Sequence, residues 1–586
     1  MQLNWDLDSI FSGGSHSIAL ADFLTHLATQ LADYEANLLP PPLNALSQSV
    51  WVTTIETLYQ LEMRADQANS FIGCLVSQNV KDDHALKLEA QIDQLRAQLG
   101  TIWTRLSASF AQQPDAAWHA LLEQTDLRAI AFHLDEQREL ARRKLSPDLE
   151  ALANELATNG YHGWGRLYNV ISGSKQVTFK GEPLSLGQLQ NKMMDDPERA
   201  TREAAFTLFE EAWGEIAKPC AVALNNQAGF RLTLYRQRKW DSVLAEPLMR
   251  NRLNPETLAV MWNVIDAKSS KLLAYFAAKA KIMGVEKLSW CDVAAPVGQF
   301  NRTFTYPEAA DFVVDNIRRF NPDIADYCRM AVDQQWVESE NRPGKRGGAY
   351  CTDFPLSGQT RIFMTYNGTY NGMLTLAHEL GHGYHAWVMR DLPHGARYYT
   401  MSVAETASTF NELVVTNASF ALATEPQEQL SLLASKLNDA ATMLMNIRSR
   451  FDFETAFFAQ RAKQTLSVDE LNELMLTAQK TAYKNGLAQY HPSFWASKLH
   501  FYATEDPFYN FPYTFGYLFS NGIYQQALAE GPSFSNRYIA LLRDTGSMST
   551  EALAKTHLGI DLTRPEFWEA TVDRILADVD NFVSLV

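Results

Sequence analysis

A chain of 586 residues exceeds what one compact core supports and points to roughly two to four structural units. Its 46% hydrophobic and 20% charged residues exclude both a disordered chain and a membrane-embedded one. With 67 acidic residues against 51 basic ones, the formal charge of −16 argues against a nucleic-acid partner and suits neutral or cationic ligands such as peptides, unless the charge lies on solvated helix faces.

The opening stretch MQLNWDLDSIFSGGSHS has neither the basic start nor the apolar run of a secretory signal. No later run reaches the length of a membrane span, so a cytoplasmic protein without a membrane partner is expected. Five scattered cysteines with no C-x-x-C pair fit reduced thiols, and no feature bears on oligomeric state.

Residues 18–156 read as successive helices, because apolar side chains return every three or four positions, as around Leu58, Leu61, Met63 and Ala65 or Leu86, Leu88, Ile92 and Leu95. NGYHGWG (159–165) breaks the pattern, and KQVTFKGEPLSL (175–186) reads as a β-hairpin turning at Lys180-Gly181. This places a helical N-terminal domain at 1–190 and a second domain at 191–586. Helix resumes at DDPERATREAAF, with Asp196 expected at the N-cap and Pro197 at the first helical position. Residues 306–320 are helical, RPGKRGGAY (342–350) is a glycine-bearing loop, and RIFMTY (361–366) has the alternation of a strand. After a turn at NGTYNG, helix dominates to the C-terminus.

In LTLAHELGHGYHAW (374–387), His378 and His382 are four residues apart, so a helix points both imidazoles from one face. Glu379 completes H-E-x-x-H, the arrangement in which two histidines hold zinc and the glutamate is general base toward a water. Leu376, Leu380, Tyr384 and Trp387 form the opposite stripe, which an amphipathic helix buries. The competing reading is an ordinary helix with solvent-facing or hydrogen-bonded histidines.

A catalytic zinc takes three protein ligands. The metzincin continuation fails, because His385 and Val388 stand where it requires glycine and histidine. SVAETASTFNELV supplies two carboxylates instead, Glu405 and Glu412, seven residues apart and hence on one helix face. Glu405 is expected as the ligand; Glu412 is either an acceptor that orients a histidine or an ordinary, partly exposed helix glutamate. His385 would crowd the metal as a further ligand from the same helix, so it is expected to pack or to support the ligands from behind.

The segment HFYATEDPFYNFPYTFGYLFSNGIY (500–524) is dense in phenol and imidazole groups. His500, Tyr509 and Tyr513 are candidate donors to the oxyanion of a tetrahedral intermediate, against the alternative that such aromatics only pack a core.

With the H-E-x-x-H helix, AETASTFNE and this aromatic segment in the same order, the chain resembles the oligoendopeptidase F family of zinc metallopeptidases, and more distantly thimet oligopeptidase and neurolysin. The likeness runs from NWDLDSIFSGGS through GKRGGAYC and TLAHELGHGYHAW to PFYNFPYTFGY. It implies a mainly α, two-lobed molecule with a deep substrate channel, a small β-sheet next to the H-E-x-x-H helix, and residues 191–586 as the catalytic domain. It further implies one zinc ion on His378, His382 and Glu405, Glu379 as general base, and His500, Tyr509 and Tyr513 at the substrate. RIFMTY would line the channel and pair with the peptide, and the Gly347-Gly348 loop would close over it. Phe511 stands where many relatives have tyrosine, which leaves open how Tyr509, Tyr513 and Tyr517 share substrate binding. The implied activity is cytosolic endopeptidase action on short unstructured oligopeptides. A metallocarboxypeptidase and a peptide binder without catalysis are the alternatives.

Overall fold

Helical periodicity carries most of the chain into helices: the computed structural model describes residues 2–38, 40–298 and 302–586 and is 71% helical, so the chain is mainly α. The strands among these residues are β1 (Gln176–Phe179), β2 (Glu182–Ser185), β3 (Val337–Glu338), β4 (Tyr350–Phe354) and β5 (Gln359–Phe363). No helix among the described residues is long and apolar enough to cross a membrane.

Two compact units form. The first comprises Met1–Lys144, Arg302–Ala418 and Ile523–Gly559, the second Leu145–Asn301, Ser419–Gly522 and Ile560–Val586. Each draws on three separate stretches, and the chain-order division at residue 190 falls inside the second unit. The reason is local packing: the helices Pro147–Gly160, His162–Ser174 and Leu186–Asp195 lie against the 39-residue helix Arg199–Gln237, on the far side of that division.

In the first unit, helices Ile18–Ala36, Gln48–Gln78 and Asp83–Gln112 pack side by side. Ser17 and Asp82 cap two of them by accepting backbone N–H groups of the first turn. Leu20, Leu24, Leu27 and Leu31, spaced as one helix face, are fully buried. The same core takes in Phe354 of β4 and Phe363 of β5, which fastens a small sheet to the helices.

That sheet has the order β3-β5-β4, with β3 parallel and β4 antiparallel to β5. Strand alternation gives it two faces. On one, Tyr350 reaches Ser77 Oγ at 2.8 Å and Thr352 Oγ1 reaches Ser70 Oγ at 2.8 Å, both on the helix Gln48–Gln78. On the other, Cys351 and Asp353 look toward the helix Tyr370–Met389, which carries the H-E-x-x-H motif and lies against β4 and β5.

The second unit holds the expected hairpin, β1 paired antiparallel with β2, and Lys180 and Gly181 both take positive φ at its turn (51° and 86°). The long helix begins later than expected, at Arg199. The preceding helix runs to Asp195, and Asp196 Oδ1 accepts the Glu198 N–H at 3.0 Å, so Asp196 and Pro197 form the turn between helices instead of the N-terminus of the second.

Gly381 sits where the motif helix meets the helix Thr406–Leu422; a Cβ there would lie 2.6 Å from Ser408 Cα and 2.8 Å from the Ala407 carbonyl carbon. Gly381→Ala is expected to cost about 1–3 kcal/mol of stability, read as a lower urea midpoint. Gly100→Ala, on an exposed helix face with nothing near its Cβ, should gain roughly 0.5–1 kcal/mol. Equal midpoints for Gly381→Ala and the parent would contradict the close approach.

Candidate metal centre

Thr369 starts the motif helix by accepting the Gly372 N–H at 3.1 Å, immediately after Gly368 at φ 76°. The stripe Leu376, Leu380 and Tyr384 is buried as its spacing requires, while Trp387 is half-buried. Glu405 sits between two helices, Met401–Ala404 and Thr406–Leu422, and its carbonyl accepts the Thr409 N–H at 3.0 Å. The glycine approach at Gly381 brings this junction onto the histidine face.

Three ligand atoms converge there. His378 Nε2 and His382 Nε2 are 3.1 Å apart, and each is 3.4 Å from Glu405 Oε2. Among the described residues, these three form the one His/Cys/Asp/Glu group compact enough to hold a metal ion. Ser408 donates its hydroxyl to Glu405 Oε2 at 2.7 Å and fixes the carboxylate. Glu412 Oε1 lies 3.2 Å from His378 Nδ1, the nitrogen that faces away from the other two ligands. Two imidazoles and a carboxylate suit zinc among divalent ions.

Electrostatics favour a cation at this point. Burial works against charge on His378, yet Glu412, Glu405 and Glu379 together push its pKa up to about 9. Burial opposes ionisation of Glu405 too, but the two histidines and Ser408 hold it down at about 2. Glu379 is 5% exposed; burial raises its pKa, the histidines oppose the rise, and its Oε2 has no hydrogen-bond partner. An unpartnered carboxylate oxygen beside three converging ligands is placed to take a proton. His385 is fully buried: its Nε2 faces Leu542 O at 3.2 Å and Thr545 Oγ1 at 2.9 Å, and Tyr399 stacks on its ring at 4.2 Å. Burial lowers its pKa to about 3, so it packs as a neutral group.

The centre opens into a cavity of about 330 Å³, whose walls include Cys351, Thr352, Asp353, Ala386 and Tyr399. The strand beside it is β4. Of RIFMTY, expected to line it, residues 361–363 end the central strand β5, whose two neighbours already occupy its backbone groups, and residues 364–366 run on beyond it. Gly347 and Gly348 are exposed in the loop before β4, Gly348 at φ 94°, and Ala349 is the loop residue that reaches the cavity wall. Sequence reading missed Cys351, Asp353 and Tyr399. The alternating stretch YCTDF carried the signal for the first two. The Cys351 thiol is pushed well up by burial and by Glu379, which makes it a protonated wall group and no nucleophile.

His500, Tyr509, Tyr513 and Tyr517 belong to the second unit. Three of them gather: the His500 ring is 5.2 Å from that of Tyr509 and 6.3 Å from that of Tyr513, and the two phenols are 5.7 Å apart. Tyr517 follows Tyr513 by one turn on the helix Phe511–Glu530. Phe508, at a positive φ of 54° rare for a bulky residue, aims Tyr509; it is held by stacking on Phe458 at 5.5 Å and by its N–H on Glu454 Oε1 at 3.1 Å.

The sequence profile of peptidase family M3 matches residues 192–574, and that of oligopeptidase F matches residues 110–174. The chain is 22% identical to group B oligopeptidase PepB of Streptococcus agalactiae, over 99% of this chain and 97% of that protein. It is 22% identical to oligopeptidase PepF of Bacillus subtilis, over 84% and 75%. Its fold is similar to the solved structure of a Chlamydophila abortus protein (TM-score 0.84, 19% identity, 100% and 98% covered) and to that of oligoendopeptidase-F from Enterococcus faecium (0.69, 16%, 97% and 99%). Because the first profile spans most of the chain and contains the whole His378, His382 and Glu405 convergence, this chain belongs to peptidase family M3 and is a metalloendopeptidase.

Proposed function

We propose that the chain is a zinc-dependent endopeptidase that hydrolyses internal bonds of short unstructured oligopeptides in the cytoplasm. The observation that carries this reading is the convergence of His378 Nε2, His382 Nε2 and Glu405 Oε2 beside an unpartnered Glu379 oxygen. The names of the relatives support oligopeptides as substrates. Five free cysteines, four of them buried, suit a reducing compartment.

Zinc held by His378, His382 and Glu405 would supply Lewis acidity, acidifying a water and polarising the peptide carbonyl. Glu379 does the proton work. Its carboxylate accepts the proton of the attacking water as the new C–O bond forms, then delivers that proton to the amine nitrogen as the C–N bond breaks. Burial raises its pKa, which suits a group that must both take and return a proton. Glu412, whose Oε1 lies 3.2 Å from Nδ1, sets a negative charge behind the His378 ring that favours Nε2 on the ligand side. The edge of β4, paired on one side only, is the backbone available to an extended peptide. His500, Tyr509 and Tyr513 are the groups proposed to donate to the peptide oxygen that becomes negative.

A terminally blocked, internally quenched peptide should be cleaved, fall silent with a chelator and recover with zinc; cleavage that persists in the chelator would remove the metal from the mechanism. Glu379→Gln should retain zinc and an unchanged circular dichroism spectrum while kcat falls by about 10²–10⁴, and near-normal turnover would take Glu379 out of the proton path. Tyr513→Phe should lower kcat more than it raises KM. A change confined to KM would make Tyr513 a binding group alone.

A further inference from the structure

The second unit contains one buried and one half-buried cation that the proposed mechanism does not use. Arg450 is 7% exposed, and its partners are neutral: Nε donates to Asn446 Oδ1 at 2.7 Å and Nη1 to Asn510 Oδ1 at 2.9 Å. Lys498 Nζ has no protein acceptor within bonding distance among the described residues. Arg450 Cζ and Lys498 Nζ lie 5.3 and 5.8 Å from the centroid of one ring, Phe494. Beside them the buried Asn510 Nδ2 and His500 Nδ1 also lack partners. Two cations, an amide N–H and an imidazole therefore share one region with no anion among them.

Two other arginines of the unit, one buried and one half-buried, face carboxylates. Arg202, 2% exposed, bonds the fully buried Asp292 at 3.1 Å, and Arg238 forks onto Glu150 at 2.9 and 2.7 Å. The carboxyl near His500, that of Glu454, lines a small cavity with it but is spent on the Phe508 N–H, and burial pushes its pKa up to about 8. Burial and the Arg450 charge lower Lys498 to about 7, and burial with both cations lowers His500 to about 4. Unpaired buried charge is costly and is resolved when a ligand brings the opposite sign.

Resting on the reading of this chain as an oligopeptidase, we propose that Arg450, Lys498 and Asn510, next to His500, form a carboxylate-binding subsite for the peptide substrate. Its ligand is a carboxylate: the peptide's C-terminus or an Asp or Glu side chain. The guanidinium supplies a planar fork and the ammonium a second charge, while the amide donates the remaining hydrogen bond.

The test uses three quenched peptides with one cleavable core: a free C-terminal acid, the C-terminal amide, and the amide with glutamate replacing a neutral residue outside the core. The acid, the glutamate peptide or both should show kcat/KM about tenfold above the plain amide, and whichever exceeds it identifies the source of the carboxylate. Lys498→Met, at a half-exposed position, should bring the ratio close to one, and Arg450→Gln should do the same. Calorimetric binding of the three peptides to Glu379→Gln, with and without Lys498→Met, reads the same preference without turnover. Cleavage of all three at equal kcat/KM, or a ratio that survives Lys498→Met, overturns the subsite and leaves the peptidase reading standing. If none is cleaved, that reading fails, and the calorimetric preference alone decides the subsite.

Discussion

The centre depends on one close approach. Three ligand atoms from two segments can meet within 3.4 Å only if the backbones behind them come nearer than side chains ordinarily allow, and Gly381 is where they do. Its missing Cβ lets Ala407 and Ser408 lie directly on the motif helix, which brings Glu405 onto the face that displays His378 and His382. Asn411 fastens the same contact by donating to the Ala377 carbonyl at 3.2 Å. The H-E-x-x-H spacing sets the imidazoles on one face, but the third ligand is a property of this helix crossing.

A second constraint is the alternation of β4. Residues at even steps tie the sheet to the N-terminal helices through Tyr350, Thr352 and Phe354, while those at odd steps, Cys351 and Asp353, face the motif helix across a cavity whose wall also takes in Tyr350 and Thr352. One five-residue strand thus anchors the centre to the core and shapes the space in front of it. A register slip by one residue would exchange the two faces and place an aspartate against buried phenylalanines.

Features of the site that are local in sequence were legible in advance. The motif helix, Glu405 and Glu412 follow from spacings of four and seven residues, and the hairpin from Lys180-Gly181. The side of the sheet that faces the cavity was not legible. Thr352 and Asp353 interrupt the apolar pattern of β4, and its stabilising partners, Ser70 and Ser77, lie more than 270 residues away in the chain. RIFMTY, the stronger strand pattern, is strong because it is central and buried on both faces, and that excludes it from the edge a peptide can use. The start of the long helix was misplaced for a related reason: Asp196 and Pro197 favour a helix N-terminus, but the preceding helix had already consumed the chain up to Asp195.

The buried charges of the second unit were equally illegible, because Arg450 and Asn510 meet across 60 residues and neither belongs to a motif. Their meaning comes from contrast. Arg361, buried without a carboxylate in the first unit, is surrounded by four oxygen acceptors from Asp6, Ser9, Gln359 and Thr360, so its charge is solvated by the fold itself. Arg450 has two amide oxygens, and Lys498 stands beside it with none. Repulsion between the two then adds to the burial penalty, which Asn446, Asn510 and the Phe494 ring offset only in part. A structural arginine is enclosed by its acceptors, as Arg361 is. An arginine left with open donors, next to an unpaired lysine and unpartnered amide and imidazole nitrogens, has the donor set that a carboxylate completes.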